Sequence, residues 1–184
     1  MLLYRVSPVD PGAAQGEPYH PGYVPASSGA HRVDNPEMYD TLYLSGSAAG
    51  AVVEAFGAMA VWGDYLTEHP RGFTRRLATF ELTDRPVLDL DDPAALVQRS
   101  IRPSRVVTRD RSTTQQWAAA AFAEGAWVGI SWWSYYDPEW TSLGLWCAPS
   151  RGAIDGLDLV DTEEIGAGHP AVTAAEQALL RRWS

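Results

Sequence analysis

The sequence predicts an α+β fold: a single compact domain with a mixed β-sheet core and flanking helices. Three observations lead there. The chain of 184 residues is 46% hydrophobic, enough for one sizeable core. Segments of strand period and of helical period follow one another along it. No repeat, low-complexity tract or linker interrupts them, so residues 1–184 read as one domain.

Leu2–Val6 alternates and reads as a first strand. Ser7–His31 holds five prolines and four glycines and keeps no period, which predicts a loop. A loop of that length is more often functional than not, for instance as a lid. Thr41–Ser45 is a short strand running into a helix whose apolar face is Val52, Val53, Phe56, Met59 and Ala60. Ser45 or Ser47 can cap that helix, because a hydroxyl accepts from a free first-turn N–H. Leu77–Thr83 and Val87–Leu90 read as strands, and Pro93 opens a short helix to Ser100. Thr113–Glu124 is a helix ended by Gly125. Trp127–Trp133 and Leu143–Cys147 read as strands, Leu157–Val160 as a last edge strand, and Pro170–Trp183 as a closing amphipathic helix.

Composition narrows the function classes. A net charge of −9 and only 14 basic residues argue against direct nucleic-acid binding, which needs clustered cations to neutralise phosphates. Cys147 is the single cysteine, which suits a reducing compartment. His20, His31, His69 and His169 are scattered without ligand spacing, so no metal site is expected. The N-terminus lacks the pattern of a signal peptide, and the 44–63 run is too broken for a membrane span. A soluble, cytoplasmic protein is the expectation.

Within that 44–63 run, Glu54 is the only charged residue. Its i±3 and i±4 neighbours on a helix are Gly50, Ala51, Gly57 and Ala58, so no local ion pair accounts for the carboxylate. An ordinary surface glutamate and a functional one both satisfy the spacing. Small neighbours would let a ligand or another backbone approach. Nearby in sequence stand Arg5 at the end of the first strand, Arg32 at the exit of the long loop, and Tyr43 in the strand before the helix. Together they offer two guanidiniums for a pyrophosphate, an aromatic face for a flat ring, and a carboxylate. Neither GxGxxG nor GxxxxGK occurs, so a Rossmann or P-loop site has no support.

The order Tyr4-Arg5, Gly29-x-x-Arg32, Leu42-Tyr43-Leu44-Ser45 and Val53-Glu54 resembles the RES-domain family of bacterial NAD-degrading toxins. The resemblance continues through Arg85–Leu90, Ser112-Thr-Thr-Gln115 and Gly129–Ser134, covering about residues 4–147, with the 157–183 strand and helix beyond it. Two departures stand out: His31 lies where the family usually has glycine, and Trp133 where it has proline. The resemblance implies a fold like that of ADP-ribosyltransferases. It further implies Arg5 and Arg32 on the NAD phosphates, Tyr43 on the nicotinamide or its ribose, and Glu54 beside the ribose carbon that loses nicotinamide. Ser112 and Ser134 both match serine positions of the family, and the sequence does not choose between them. Ser112 could equally be the cap of the helix after it.

The activity so implied is an enzyme, NAD+ phosphorylase or NAD+ glycohydrolase. NAD+ is its substrate, water or inorganic phosphate attacks, and no cofactor takes part. The implied partner is an Xre-like helix-turn-helix antitoxin, covering the cleft in a toxin–antitoxin oligomer with the Ser7–His31 loop at its edge. An ADP-ribosyltransferase would use the same bond cleavage on a protein target. A different class of reading comes from the segment 127–146, which holds five of the eight tryptophans beside Tyr135, Tyr136, Asp137 and Glu139. Those residues could fill a sheet core, bind a sugar, or anchor a partner in a non-enzymatic interaction domain.

Overall fold

The computed structural model describes residues 1–184. Seven strands make one sheet: β1 (Leu2–Val9), β2 (Asp40–Ser45), β3 (Thr74–Leu82), β4 (Val87–Asp89), β5 (Gly129–Trp133), β6 (Thr141–Cys147) and β7 (Leu157–Glu164). Their spatial order is β4-β5-β6-β2-β1-β3-β7. Only β4 and β5 run parallel; every other pair is antiparallel. Four helices accompany the sheet: α1 (Ala48–Phe56), α2 (Pro93–Gln98), α3 (Arg111–Ala123) and α4 (Pro170–Leu179). The expected α+β architecture with a mixed sheet is what forms.

Alternation along the strands separates two faces. One face carries Leu3, Leu42, Leu44, Ala78, Phe80, Leu143, Leu145 and Leu157, an apolar layer capped by Val24 and Ile154 rather than by a helix. The opposite face carries two separate cores. Leu77 packs there with Val52, Val53 and Phe56 of α1 and Val172 of α4. Ile130, Trp132 and Trp146 pack with Leu96 of α2 and Trp117 and Ala118 of α3.

Between those cores the sheet is nearly split. β1 and β2 are registered at one pair, Tyr4 opposite Ser45, whereas β1 and β3 are registered over eight residues. Beyond Tyr4 the two strands part, and the next residues of each, Arg5 and Val6 against Leu44 and Tyr43, line an opening.

Several boundaries differ from the sequence reading. α1 ends at Phe56, so Met59 and Ala60 do not extend its apolar face, and both are exposed. Gly57 is the C-cap: its N–H still donates to Val53 O, and its Cα lies against the Tyr136 ring, where a Cβ would come within 2.8 Å. Ser47, not Ser45, is the cap, accepting from Gly50 N–H at 3.1 Å. The cap of α3 is Asp110, not Ser112, so the helix starts two residues earlier than expected. Ser7–Val9 belongs to β1; the loop after it packs through Val24 on the helix-free face, and its last residue, His31, reaches the edge of the opening. Arg5 Nη1 holds it there by donating to Pro21 O at 2.8 Å and Tyr23 O at 3.0 Å. No helix is long and apolar enough to cross a membrane.

Leu42 is fully buried at the centre of the helix-free layer. Leu42→Ala should lower unfolding free energy by about 2–5 kcal/mol, as core truncations of leucine do. A urea titration checks this: the midpoint should fall with the slope unchanged.

Candidate active site

A cavity of about 490 Å³ opens where β1 and β2 part, between α1 on one side and the start of α3 on the other. Tyr4, Tyr43, Ser45, Trp132 and Ser142 from the sheet form its floor. Ala51, Glu54 and Ala55 of α1 form one wall, and Arg109, Arg111, His31 and Arg32 contribute from the other. Tyr135 and Tyr136 complete the lining from the turn after β5.

Glu54 reaches out from α1 toward the strands. Its Oε1 accepts from Ser134 Oγ at 2.8 Å and from Ser142 Oγ at 3.1 Å, both buried serines. Its Oε2 has no protein donor. Of the two serines that sequence left open, Ser134 touches Glu54. Ser112 lies on the surface, donates to Asp110 Oδ1 at 2.8 Å, and does not line the cavity.

Arg5 and Arg32 both line the cavity, and both are steered by backbone carbonyls. Arg32 Nη1 donates to Val106 O at 2.7 Å and Thr108 O at 3.0 Å. Burial pulls the Arg5 guanidinium down to about 10, which leaves it cationic at neutral pH. Burial also lowers Arg32, reinforced by the like charge of Arg111 and opposed by Glu54 and Tyr43. Tyr43 Oη donates to Asp34 Oδ1 at 2.7 Å and accepts from Val33 N–H at 3.1 Å. Burial and the neighbouring Asp34 carboxylate push its phenol up, so the ring is neutral where it lines the cavity and its hydroxyl braces Asp34 and Val33. Asp34, itself buried, also accepts from His31 N–H at 3.1 Å. Thr114 Oγ1 donates to Arg32 O at 2.6 Å, and Gln115 Nε2 to Gly29 O and His31 O at 2.8 and 2.9 Å. The Arg32 loop is therefore fixed from β2 and from α3.

Arg109, Arg111, Asp34 and Ser142 were not singled out from sequence. Arg109 donates to Tyr135 Oη at 2.9 Å and lies 5.2 Å over its ring. The cavity thus gathers four guanidiniums and one carboxylate, in a chain of net charge −9. Such a lining suits an anionic ligand. The tryptophan-rich segment contributes mainly core: Trp132 and Trp146 are buried, and Trp127, Trp133 and Trp140 pack against the two helix-side cores. Asp137 accepts from Glu139 N–H in a turn, and neither carboxylate lines the cavity.

The RES-domain family model matches residues 2–162. The chain belongs to the RES-domain family. Among solved structures, the crystal structure of the M. tuberculosis MbcT–MbcA toxin–antitoxin complex contains a chain of the same fold. The two share a TM-score of 0.62 and 20% identity over 97% of this chain and 88% of that one. No curated protein matches the sequence. The RES domain here spans β1 to β7, so every cavity-lining residue falls inside it.

Tyr39 is fully buried, and burial raises its phenol to about 12 from an ordinary 10.0. An unfolded chain would release that proton near 10, before the folded one does, so the neutral phenol favours folding below pH 10 and the advantage is lost as pH rises toward 12. Chemical denaturation at pH 8 and pH 11 should show lower stability at the higher value. Tyr39→Phe should flatten part of that decline, and an identical decline in the variant would exclude Tyr39 as its source.

Proposed function

We propose that this RES domain cleaves NAD+ at the nicotinamide–ribose bond. The observation that carries the reading is the Glu54 carboxylate in the α1 wall of an arginine-lined cavity, anchored through Oε1 and with no protein donor on Oε2. Arg5 and Arg32 would hold the pyrophosphate, each with one Nη committed to backbone and its other N–H groups free of protein acceptors. Tyr43 would present its ring to the nicotinamide riboside. Fixing both phosphates brings the reacting carbon against Glu54, which converts binding into alignment.

Bond cleavage sends the C1′–N electron pair onto the pyridinium nitrogen, so nicotinamide leaves neutral and needs no strong acid. Positive charge grows on the ribose as the bond lengthens, and Glu54 stabilises it. Water or inorganic phosphate then forms the new C1′–O bond, with water passing its proton toward Oε2. An acceptor side chain on another protein would give ADP-ribosyl transfer by the same steps, and mass spectrometry of the products separates these outcomes. Purified protein should release nicotinamide from NAD+ in phosphate buffer, and Glu54→Gln should reduce the rate by about 10²–10³, the usual cost of a lost electrostatic stabiliser. Intact NAD+ after prolonged incubation with folded wild type would overturn the assignment.

An enzyme that drains NAD+ in the cytoplasm would poison its own cell. The resemblance to a chain from a toxin–antitoxin complex supports a toxin neutralised by a cognate antitoxin of the Xre-like helix-turn-helix kind. Expression of the chain alone should arrest growth, Glu54→Ala should relieve the arrest, and co-expression of the adjacent gene should restore growth. Normal growth with abundant soluble wild type would exclude the toxin role while leaving NAD+ cleavage standing.

A further inference from the structure

We infer that Ser142 is a positioning residue that decides which oxygen of Glu54 faces the reacting carbon; this rests on the NAD+-cleaving reading. A carboxylate oxygen has two lone-pair directions. Ser134 and Ser142 both donate to Oε1 and so occupy both, leaving Oε2 as the oxygen open to the cavity. The two serines are not equivalent. Ser134 lies past the end of β5, in the turn closed by its N–H on Trp140 O at 2.6 Å. Its Oγ accepts from Tyr136 N–H at 3.2 Å, which directs its proton to Glu54. Ser142 sits inside β6, registered against Ser45 of β2 on one side and Trp132 of β5 on the other. Its Oγ has Glu54 as its single protein partner and belongs to the cavity floor.

The strand therefore supplies the fixed point, and the turn supplies the second donor. A glutamate on the last turn of α1 has three side-chain torsions, and one hydrogen bond would leave the carboxylate free to rotate about it. Two donors from different elements hold both its place and its plane.

The test is a kinetic cycle on NAD+ cleavage with Ser142→Ala, Ser142→Thr, Glu54→Gln and the Ser142→Ala/Glu54→Gln pair. Ser142→Ala should lower kcat by about 10- to 100-fold, the worth of a hydrogen bond to a charged group. KM should stay within about twofold, because the phosphate-binding arginines are untouched. Ser142→Thr keeps the hydroxyl and should recover most of the rate. In the Glu54→Gln background the alanine change should add little, since Ser142 acts through that carboxylate. Thermal melts identify any variant that loses activity by unfolding, and for Ser142→Ala the threonine variant then carries the comparison. Equal kcat in Ser142→Ala and wild type, or a full multiplicative loss in the pair, would overturn the assignment alone. Absence of NAD+ cleavage by folded wild type would overturn the underlying reading and this assignment with it.

Discussion

The single registered pair between β1 and β2, Tyr4 with Ser45, is the constraint from which the rest follows. A sheet parted at its middle exposes two rows of backbone groups and loses ladder bonds. The break is sustainable because one apolar layer on the other face spans both halves. Leu3, Ala78 and Phe80 from the β1–β3 half meet Leu42, Leu44, Leu143 and Leu145 from the β2–β6 half there. Burial on that side keeps the halves together while the helix side is left open. The helices then divide into two sets with separate cores, α1 with α4 and α2 with α3, and the cavity is the space between them. Each of its walls is thus packed on a core of its own.

Charge is arranged around the same break. Arg76, Arg99 and Arg151, all outside the cavity, are paired with carboxylates. Arg5 and Arg32 inside it are held by backbone carbonyls instead. A carbonyl fixes the geometry of a guanidinium without cancelling its charge, so the field in the cavity stays positive. Burial strengthens that field, because fewer water dipoles screen it. The cost appears as the lowered proton affinity of both arginines, and a bound anion of any kind would offset the repulsion between Arg32 and Arg111. An acidic molecule surrounding a cationic cleft also disfavours long polyanions while admitting a small one.

The sequence made much of this legible because several signals were local. Proline at Pro93 and Pro170, glycine at Gly125 and the Thr41–Ser45 alternation each mark an element by a backbone rule, and all the strands and helices form close to where those rules put them. Glu54, Arg5, Arg32 and Tyr43 could be chosen from their isolation and spacing, and they share one cavity. Other features depend on contacts between distant segments and left no local trace. Ser142 meets Glu54 across 88 positions of chain, and Asp34 acquires its role only when Tyr43 folds over it. The long loop is similar: its prolines and glycines announce irregular backbone, but contacts with distant segments, among them Arg5 with Pro21 O, Val24 with Gly152 O and Ser27 with Asp40, determine which face of the sheet it covers.

The isolation of Glu54 has its explanation in the glycines on either side of it. A Cβ at Gly50 would come within 2.4 Å of Ser45 Oγ, and one at Gly57 within 2.8 Å of the Tyr136 ring. The first contact seats α1 against β2, and the second seats its end against the turn that carries Ser134. A larger residue at either position would push the helix away from the strand and the turn whose serines hold the carboxylate. A second charged side chain on the same face would add desolvation without a partner. One carboxylate in a run of small residues is therefore what close helix–sheet approach permits, and that approach gives Glu54 both of its donors.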